Sequence, residues 1–246
     1  MTVQALKSAL VTGASRGIGQ AIARRLAADG FAVVVNYAGS EAAAHETVEA
    51  IRAAGGTAVA VRADVSRADD VRELFAATRR EFGRVDVVVC NGGIMRTAPI
   101  AGMPPDDFDR MLAVNLRGTF LAMSEAARHL ERDGRFIALS SSVIAKHSPG
   151  YGPYIASKAG VEGLVQVFAQ EMRGRAVCVN AVAPGPVATD LFLQGKSDEL
   201  IARIVKQAPL ERIGEPSDIA DAVSFLAGPG GGWVNAQVLR VNGGFA

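Results

Sequence analysis

The chain has 246 residues, 49% of them hydrophobic, and its 26 basic and 25 acidic residues leave a formal charge of +1. That length suffices for one large α/β domain or two small ones. The balanced charge, with no basic stripe and no charged tail, argues against nucleic acid as a partner. No run approaches about 18 consecutive apolar residues, and the segment 1–7 lacks the apolar region of an export signal. We therefore expect a cytoplasmic protein without membrane contact.

The cysteine and histidine content predicts neither a disulfide nor a metal site. Cys90 and Cys178 both lie inside valine-rich apolar runs, which is typical of buried reduced thiols. His45, His129 and His147 have no ligand-like spacing to one another.

Short β-branched runs alternate with longer amphipathic segments along the chain. The predicted strands are Lys7–Thr12, Ala32–Asn36, Ala58–Arg62, Val85–Asn91, Arg135–Ser140, Ala176–Ala183 and Gln237–Val241. The predicted helices are Gly17–Ala28, Glu41–Ala54, Ala68–Phe82, Phe108–Leu130, Tyr154–Met172 and Ser217–Leu226. The strands are unbroken apolar runs, which indicates a parallel sheet covered on both faces. We predict one α/β domain over residues 1–246, a doubly wound (Rossmann) parallel sheet of about seven strands with helices on both faces.

One segment interrupts this alternation. Residues 189–210, which follow Pro184-Gly185-Pro186, have the pattern of one or two short helices between a strand end and the next long helix. Functional loops and lids are commonly inserted at such a place. We therefore predict a substrate lid over residues 189–210.

A glycine-rich turn follows the first predicted strand. The run Thr12-Gly13-Ala14-Ser15-Arg16-Gly17-Ile18-Gly19 leads directly into the first predicted helix. Its glycines permit a tight bend and bring backbone amides close to the positive end of the helix, where a diphosphate binds well. The spacing is G-x-x-x-G-x-G and differs from the usual G-x-G-x-x-G fingerprint. Its place between a strand and a helix is what indicates a nucleotide site.

The end of the second predicted strand sets the expected choice of cofactor. An acidic residue there would hold the ribose hydroxyls of NAD, but this strand ends in Val35-Asn36-Tyr37-Ala38-Gly39-Ser40, without a carboxylate. Arg16 lies in the nearby glycine turn, where a guanidinium suits a 2′-phosphate. The alternative for Arg16 is a solvent-facing charge. We expect NADP(H) to be preferred over NAD(H).

A tyrosine and a lysine lie four residues apart at the start of a predicted helix. Tyr154 and Lys158 therefore share one helix face, and a nearby cation favours the phenolate and lowers the pKa of a tyrosine. Tyr151 lacks such a partner, because the residue four positions later is Ile155. The pair predicts an acid/base device; the alternative is a packed aromatic beside a solvated charge.

These motifs together resemble a known family. The chain is similar to the classical short-chain dehydrogenases/reductases, and within them to 3-oxoacyl-(acyl carrier protein) reductases and tetrahydroxynaphthalene-reductase-like members. The resemblance covers essentially the whole chain and rests on Thr12 to Gly19, Asp64-Val65, Asn91-Gly92-Gly93, Asn115, the serines at 140 to 142, Tyr154, Lys158, Pro184 to Thr189, Pro209 to Pro216 and Val238 to Gly244.

The resemblance implies a catalytic set. Tyr154 would be the general acid in carbonyl reduction and the base in alcohol oxidation, with Lys158 lowering its pKa and holding the nicotinamide ribose. Asn115 would hold a proton-relaying water, and it could also cap or kink a helix. A serine would bind the substrate carbonyl: its spacing from Tyr154 points to Ser141, whereas the family's frequent Ser-Val step points to Ser142.

The resemblance also implies a cofactor-binding set. Asp64 and Val65 would contact the adenine, and the run from Pro184 to Thr189 would hold the carboxamide and the diphosphate. The full set is Gly13, Ser15, Arg16, Gly17, Ile18, Gly19, Asn36, Tyr37, Ala38, Ser40, Asp64, Val65, Asn91, Gly92, Gly93, Val114, Tyr154, Lys158, Pro184, Gly185, Val187 and Thr189.

The chain departs from the family at one motif. It has Cys90-Asn91-Gly92-Gly93 where the family usually has Asn-Asn-Ala-Gly. Losing the first asparagine removes hydrogen bonds, and the extra glycine adds backbone freedom at an entropic cost. We expect reduced stability or a shifted loop without loss of activity. Cys90 is not expected to act as a nucleophile, because no histidine is placed to activate it.

The expected function is NADP(H)-dependent hydride transfer between a nicotinamide and a carbonyl or secondary alcohol. The substrate would be a 3-oxoacyl thioester or a cyclic or aromatic ketone, and the alternative is a non-catalytic NADP-binding sensor or scaffold of the same fold. Arg132 and Arg175 fall where reductases of this kind dock acyl carrier protein, although they could be ordinary surface arginines. Residues 233–246 resemble the family's association segment, which implies a homotetramer that would cover an exposed Trp233 and Phe245.

Overall fold

The computed structural model describes residues 6–246, and in that part of the chain the strands form one seven-stranded parallel sheet. Strands β1 to β7 are Ser8–Val11, Ala32–Tyr37, Thr57–Arg62, Val87–Cys90, Arg135–Leu139, Cys178–Pro184 and Val238–Val241. Their order across the sheet is β3-β2-β1-β4-β5-β6-β7. The direction of winding reverses between β1 and β4, where doubly wound sheets open a crevice at the carboxyl ends of the strands. The predicted Rossmann topology is confirmed.

Helices cover both faces of the sheet. Helices α1 to α9 are Gly17–Ala28, Glu41–Ala53, Ala68–Phe82, Pro105–Leu112, Gly118–His129, Gly152–Glu171, Asp190–Leu193, Asp198–Val205 and Pro216–Ala227. Alternate residues of each strand pack into the hydrophobic cores on opposite faces of the sheet, as the pleat requires. Val33 and Val35 pack with α1, α2 and α9, whereas Val34 packs with α3, α5 and α6. Both faces are thus apolar, which explains the unbroken apolar runs in the sequence.

The predicted helix Phe108–Leu130 is divided in the structure. Helix α4 passes into a π-helical turn at Ala113–Arg117 before α5 begins at Gly118. A π-turn inserts one extra residue into the helical repeat and is often found at functional sites. Asn115 lies in the middle of this turn.

Residues 189–210 form two short helices, α7 and α8. The side chain of Thr189 accepts a hydrogen bond from the amide of Phe192, and that of Ser197 accepts one from Leu200. These are N-caps of the usual hydroxyl type. All residues of both helices are at least partly exposed, so the segment lies on the surface at the carboxyl end of the sheet. Across residues 6–246, helices long and apolar enough to cross a bilayer do not occur.

Candidate active site

Two adjoining cavities open at the carboxyl end of the sheet. The first, of about 350 Å³, is lined by the turn after β1 and by the ends of β2, β3 and β4, and we call it the glycine-loop cavity. The second, of about 340 Å³, is lined by the residues after β5 and β6, the start of α6, and α7 and α8, and we call it the Tyr154 cavity. The two share Ile18, Asn91, Gly93, Thr189 and Leu191 in their walls. They form one continuous cleft.

The turn after β1 has the geometry of an anion site. Gly13 has a φ of +60°, in the left-handed region that favours glycine. At Gly19 a Cβ would lie 2.3 Å from the carbonyl oxygen of Gly13 and 2.4 Å from Nδ2 of Asn91, so a side chain cannot be accommodated there. Arg16 occupies the N-cap of α1 without a capping side-chain bond. The first amides of α1 therefore remain available, which fits a diphosphate.

Asn36, near the end of β2, holds the glycine turn in place through hydrogen bonds. Its Oδ1 accepts a hydrogen bond from the Gly13 amide at 3.2 Å, and its Nδ2 donates to the carbonyls of Val61 and Ala63 at 3.2 and 3.1 Å. A carboxylate at this position could not donate those two bonds. The exposed guanidinium of Arg16 lines the same cavity. This wall therefore has a cation, Arg16, and no carboxylate from β2. Such a wall fits a 2′-phosphate.

The predicted adenine contacts also lie in this cavity. Asp64 and Val65 both line it. The Asp64 carboxylate accepts hydrogen bonds from the amide and the hydroxyl of Ser66 at 2.9 and 2.7 Å. Asp64 is thereby held in one orientation at the cavity wall.

Tyr154, Lys158 and Ser141 line the second cavity together. Tyr154 and Lys158 come from the first turns of α6 and are buried, with 9% and 5% exposure. The Lys158 ammonium donates to the carbonyl of Leu139 at 2.7 Å and lies 5.9 Å from the centroid of the Tyr154 ring. Ser141 lies just beyond the end of β5. The helical spacing that motivated the Tyr154–Lys158 prediction thus places both polar ends in one cavity.

Burial dominates the titration of this pair. It raises the pKa of Tyr154 to about 12, and hydrogen bonding by Ser141 acts in the opposite direction. Burial lowers the pKa of Lys158 to about 8. The Lys158 ammonium lies 5.9 Å from the centroid of the Tyr154 ring, and the expectation that it lowers the pKa of Tyr154 stays a prediction. Tyr154 is a protonated phenol at neutral pH.

The structure distinguishes the two candidate serines. The hydroxyl of Ser142 is buried, donates to the carbonyl of Ala183 at 2.8 Å and accepts from Nδ2 of Asn242 at 2.9 Å. Ser142 lies outside both cavity walls, whereas Ser141 faces the phenol. The geometry favours Ser141 as the residue that can reach a substrate.

Asn115 connects three parts of the site. Its Nδ2 donates to the carbonyl of Ile94 at 2.9 Å and to Oγ of Ser157 at 3.1 Å, and its Oδ1 accepts from the amide of Ile94 at 2.9 Å. Its own carbonyl accepts the hydroxyl of Thr119 at 2.8 Å. Asn115 therefore ties the loop after β4 to α6 through the π-turn. These contacts hold Asn115 beside Ser157, the residue that precedes Lys158.

Most of the predicted cofactor residues line the cleft. The glycine-loop cavity includes Gly13, Ser15, Arg16, Gly17, Ile18, Gly19, Asn36, Ala38, Ser40, Asp64, Val65, Asn91, Gly92, Gly93, Val114 and Thr189. The Tyr154 cavity includes Pro184, Gly185 and Val187. Tyr37 lines neither cavity, since its side chain packs in the core against the α1 side of the sheet and its carbonyl accepts the amide of Ala63.

Sequence reasoning missed several lining residues. Arg110 lines the glycine-loop cavity four residues before Val114, so the helical spacing from Val114 could have identified it. Phe245 was expected to be exposed, but it is half-buried and lines the Tyr154 cavity, with the Lys146 ammonium 4.5 Å from its ring centroid. Trp233, by contrast, is 98% exposed. The return of residue 245 to the cavity is a long-range contact that no local pattern encodes.

The two arginines considered for docking have structural partners. The half-buried Arg175 donates to the carbonyl of Ala127 at 2.5 Å and to that of Leu130, at the carboxyl end of α5. The exposed Arg132 donates to the carbonyl of Gly174 at 3.1 Å. Cations near the last carbonyls of a helix stabilise its end. Arg175 is thereby engaged within the fold.

The loop Cys90-Asn91-Gly92-Gly93 remains anchored to β1. Nδ2 of Asn91 donates to the carbonyls of Thr12 and Gly13 at 3.0 and 2.9 Å, and the amides of Asn91 and Gly92 each donate to Oγ1 of Thr12 at 3.0 Å. Burial raises the pKa of Cys90 to about 12, and the nearby Lys158 ammonium acts in the opposite direction. The thiol is thus protonated and unreactive at neutral pH.

Comparisons with known proteins agree with this geometry. Residues 13–246 match a family model described as enoyl-(acyl carrier protein) reductase. An NADPH-dependent aldehyde reductase-like protein of Arabidopsis thaliana is 41% identical, over 96% of this chain and 93% of its own. The 3-oxoacyl-(acyl-carrier-protein) reductase FabG of Staphylococcus epidermidis is 42% identical, over 97% and 98%. A short-chain dehydrogenase from Burkholderia cenocepacia, crystallised with NADP, superimposes with a TM-score of 0.93 at 36% identity, over 97% of both chains.

The match of a family model to nearly the whole chain agrees with relatives of more than 40% identity over nearly their full length. The fold superimposes on that of a solved relative over nearly the whole chain. The chain belongs to the short-chain dehydrogenase/reductase family of oxidoreductases.

Proposed function

We propose that this protein reduces a ketone or aldehyde carbonyl to the alcohol with NADPH as the reductant. The observation that carries the proposal is the convergence of Ser141, Tyr154 and Lys158 on one cavity that is continuous with the glycine-loop cavity. A structure in which these three side chains pointed to different places could not perform the reaction.

The proposed roles follow from the chemistry of each side chain. A bound nicotinamide cofactor would supply the hydride. Tyr154, with its raised pKa, holds a proton at neutral pH and donates it to the carbonyl oxygen as negative charge develops there. Ser141 donates a hydrogen bond to the same oxygen. Lys158, with a pKa of about 8, is the group in the cavity best suited to return a proton to the phenolate.

The proposed preference for NADP(H) rests on the wall of the glycine-loop cavity. Arg16 supplies a cation at the exposed edge, and β2 contributes Asn36, whose side chain is already committed to the backbone. The relative named for NADPH and the neighbour crystallised with NADP support the choice. Residues that would hold the diphosphate are the glycine turn and the first amides of α1.

The proposed substrate is a 3-oxoacyl thioester or a cyclic or aromatic ketone. The Tyr154 cavity has an apolar wall beyond the reacting end, which includes Met95, Val143, Leu191, Phe192 and Phe245. The name of the FabG relative supports an acyl chain carried on acyl carrier protein. Because Arg175 is engaged with α5, docking of that acidic partner would depend on Arg132 and on other exposed cations. We propose residues 189–210 as the substrate lid, since α7 and α8 supply one side of this cavity.

A homotetramer and a cytoplasmic location complete the proposal. The 98% exposed Trp233 supports association, because a partner that covered it would remove its apolar surface from water. The two buried free thiols, Cys90 and Cys178, support a reducing compartment.

The test is oxidation of NADPH, followed by its absorbance, with acetoacetyl thioesters, cyclic ketones and aromatic ketones, each repeated with NADH. We expect turnover with NADPH, and we expect Tyr154→Phe to bind NADPH with unchanged affinity while losing at least about a thousandfold in kcat. Retained turnover in Tyr154→Phe would refute the assignment. Tight NADPH binding without turnover of any carbonyl would instead support the non-catalytic sensor or scaffold.

A further inference from the structure

The outer wall of the Tyr154 cavity comes from residues 189–210. Four of its members are apolar, two are polar without charge and one is a cation: Leu191, Phe192, Leu200, Ile204, Thr189, Gln207 and Lys196. The cation, Lys196, is half-buried. Burial of a charged group at an apolar wall is unfavourable unless something compensates it. Lys196 therefore requires an explanation that the reduction of a plain ketone does not supply.

The contacts of the Lys196 ammonium are neutral ones. It donates a hydrogen bond to the carbonyl of Phe192 and lies 4.6 Å from the centroid of the Phe192 ring. Within residues 6–246, no carboxylate lies within 4.0 Å of it, although Asp190, Asp198 and Glu199 belong to the same two helices. Partial burial lowers the pKa of Lys196. The positive charge is thus held in place and left without a counterion.

The other charged residue in the wall of the Tyr154 cavity is also a cation. Its charged members, among the residues that the structure describes, are Lys158 at the reacting end and Lys196 at the outer end, and it contains no aspartate or glutamate. The Lys158 ammonium is already bonded to the carbonyl of Leu139. A cavity with a cation at each end and no acid favours a ligand that carries negative charge away from its reacting group.

We propose that Lys196 is a specificity-determining residue, which selects carbonyl substrates that carry a carboxylate separated from the carbonyl by an apolar body. This inference rests on the proposed function, because it assigns the outer end of the same cavity. The carbonyl oxygen lies at Ser141 and Tyr154, the apolar body packs against Phe192 and its neighbours, and the carboxylate accepts a charge-assisted hydrogen bond from the Lys196 ammonium. Binding at both ends fixes the orientation of the substrate.

The test compares each oxo acid with its own methyl ester. The probes are acetoacetate, levulinate and para-acetylbenzoate with their esters, which vary the separation of the two groups. The variants are Lys196→Met, which keeps the length and removes the charge, and Lys196→Arg, which keeps the charge. Lys206→Met is the matched control, since Lys206 is an exposed lysine at the end of α8 outside the cavity wall.

For at least one acid, we expect the acid-to-ester ratio of kcat/KM to fall about tenfold or more in Lys196→Met through a higher KM. We expect the ratio to be largely retained in Lys196→Arg and unchanged in Lys206→Met. Equal losses for acid and ester would show that Lys196 only holds α7 through the Phe192 carbonyl, and would overturn the proposal. An unchanged ratio for all three acids would overturn it as well.

A binding measurement separates this inference from the proposed function. Calorimetric titration of Tyr154→Phe with para-acetylbenzoate and with its methyl ester requires no turnover. Tighter binding of the acid, abolished by a second Lys196→Met substitution, would support the selection even if no carbonyl were reduced. Equal affinities for acid and ester would overturn the inference while leaving reduction of neutral ketones intact.

Discussion

The phenol of Tyr154 and the ammonium of Lys158 are both withdrawn from water, with opposite effects on their titration. Burial raises the pKa of the first to about 12 and lowers that of the second to about 8. Both groups are thereby biased toward their neutral forms. A neutral phenol is the form that donates a proton to a carbonyl, so the environment of Tyr154 suits reduction at neutral pH.

These shifts predict how stability depends on pH. Because the folded pKa of Lys158 lies below its ordinary value of 10.5, the unfolded chain binds more protons between about pH 8 and 10.5, and stability rises over that range. Because the folded pKa of Tyr154 lies above its ordinary value of 10.0, stability falls from there toward about pH 12.

Urea unfolding across this range checks the prediction. We expect Lys158→Met to lose the rise above pH 8 and Tyr154→Phe to lose the fall above pH 10. A free energy of unfolding that changes with pH identically in wild type and Lys158→Met would show that the lysine keeps an ordinary pKa in the folded protein.

Substitutions of the two neighbouring serines should have different effects, on activity at Ser141 and on stability at Ser142. Ser141→Ala removes a hydrogen bond to the substrate carbonyl, so kcat should fall roughly a hundredfold, with unfolding free energy within about 0.5 kcal/mol of wild type. Ser142→Ala leaves the Ala183 carbonyl and the Asn242 amide without their buried partner, which should cost about 1–3 kcal/mol of stability. Steady-state kinetics and urea unfolding measure the two effects. The reverse pattern would assign the substrate contact to Ser142.

For single residues, the sequence predicts those neighbours that spacing along one helix or turn determines. Tyr154 and Lys158 share a face because both lie on one helix, and the glycine turn adjoins the helix that follows it. The choice between Ser141 and Ser142 depends on the 3-10 turn at Ser142–Ala145, whose geometry adjacent serines do not reveal. Nor does local spacing reveal that β2 continues through Tyr37 and that its side chain enters the core.

Among the helices and strands, the π-turn at Ala113–Arg117 shows what a periodic apolar pattern cannot predict. The apolar pattern predicted one helix over 108–130, and the helical path is indeed continuous across most of that range. The turn is held by Asn115, whose side chain bonds both backbone groups of Ile94, 21 residues earlier in the chain. A hydrogen bond of that separation depends on the assembled fold, so a helical repeat cannot predict it.

The loop after β4 predicts a stabilising substitution. A Cβ at Gly92 would make ordinary contacts, 3.4 Å from Oγ1 of Thr12 and 3.7 Å from Cγ2 of Val65, and its φ lies outside the left-handed region. Gly92→Ala should therefore raise the free energy of unfolding by about 0.4–1 kcal/mol, by restricting the unfolded chain.

Gly13→Ala is the matched control, because Gly13 lies in the glycine turn after β1 and contacts Gly92. Its Cβ would lie 2.8 Å from Cα of Gly92 at a φ of +60°, so we expect destabilisation and weaker NADPH binding. Urea unfolding and fluorescence titration with NADPH check both variants. A destabilised Gly92→Ala would mean that glycine is required at position 92.

In the whole molecule, exposed apolar side chains predict association. Trp233 is 98% exposed, and Phe225 and Leu239 are 48% and 37% exposed. If a homotetramer covers these side chains, light scattering should give about four times the 25.6 kDa chain mass. Trp233 is the only tryptophan of the chain, so its emission should shift to longer wavelength on dilution as the indole returns to water. Trp233→Ser should lower the mass, and a monomeric wild type would refute the tetramer.

The overall architecture was predictable because each strand of a covered parallel sheet must be apolar on both faces. Val33, Val34 and Val35 illustrate this, since neighbouring residues enter different cores. The place of the chain end was not predictable from such patterns. Phe245 reaches the Tyr154 cavity because Asn242 bonds Ser142, a hundred residues earlier in the sequence.

Thr189 and Leu191 belong to the walls of both cavities. A ligand in either cavity therefore helps to fix the start of α7 for a ligand in the other. Thermodynamic linkage requires the effect to be mutual, so each ligand would tighten the binding of the other by the same factor. The affinity for a carbonyl compound is then a property of the cofactor complex, and a value measured at one NADPH concentration does not transfer to another.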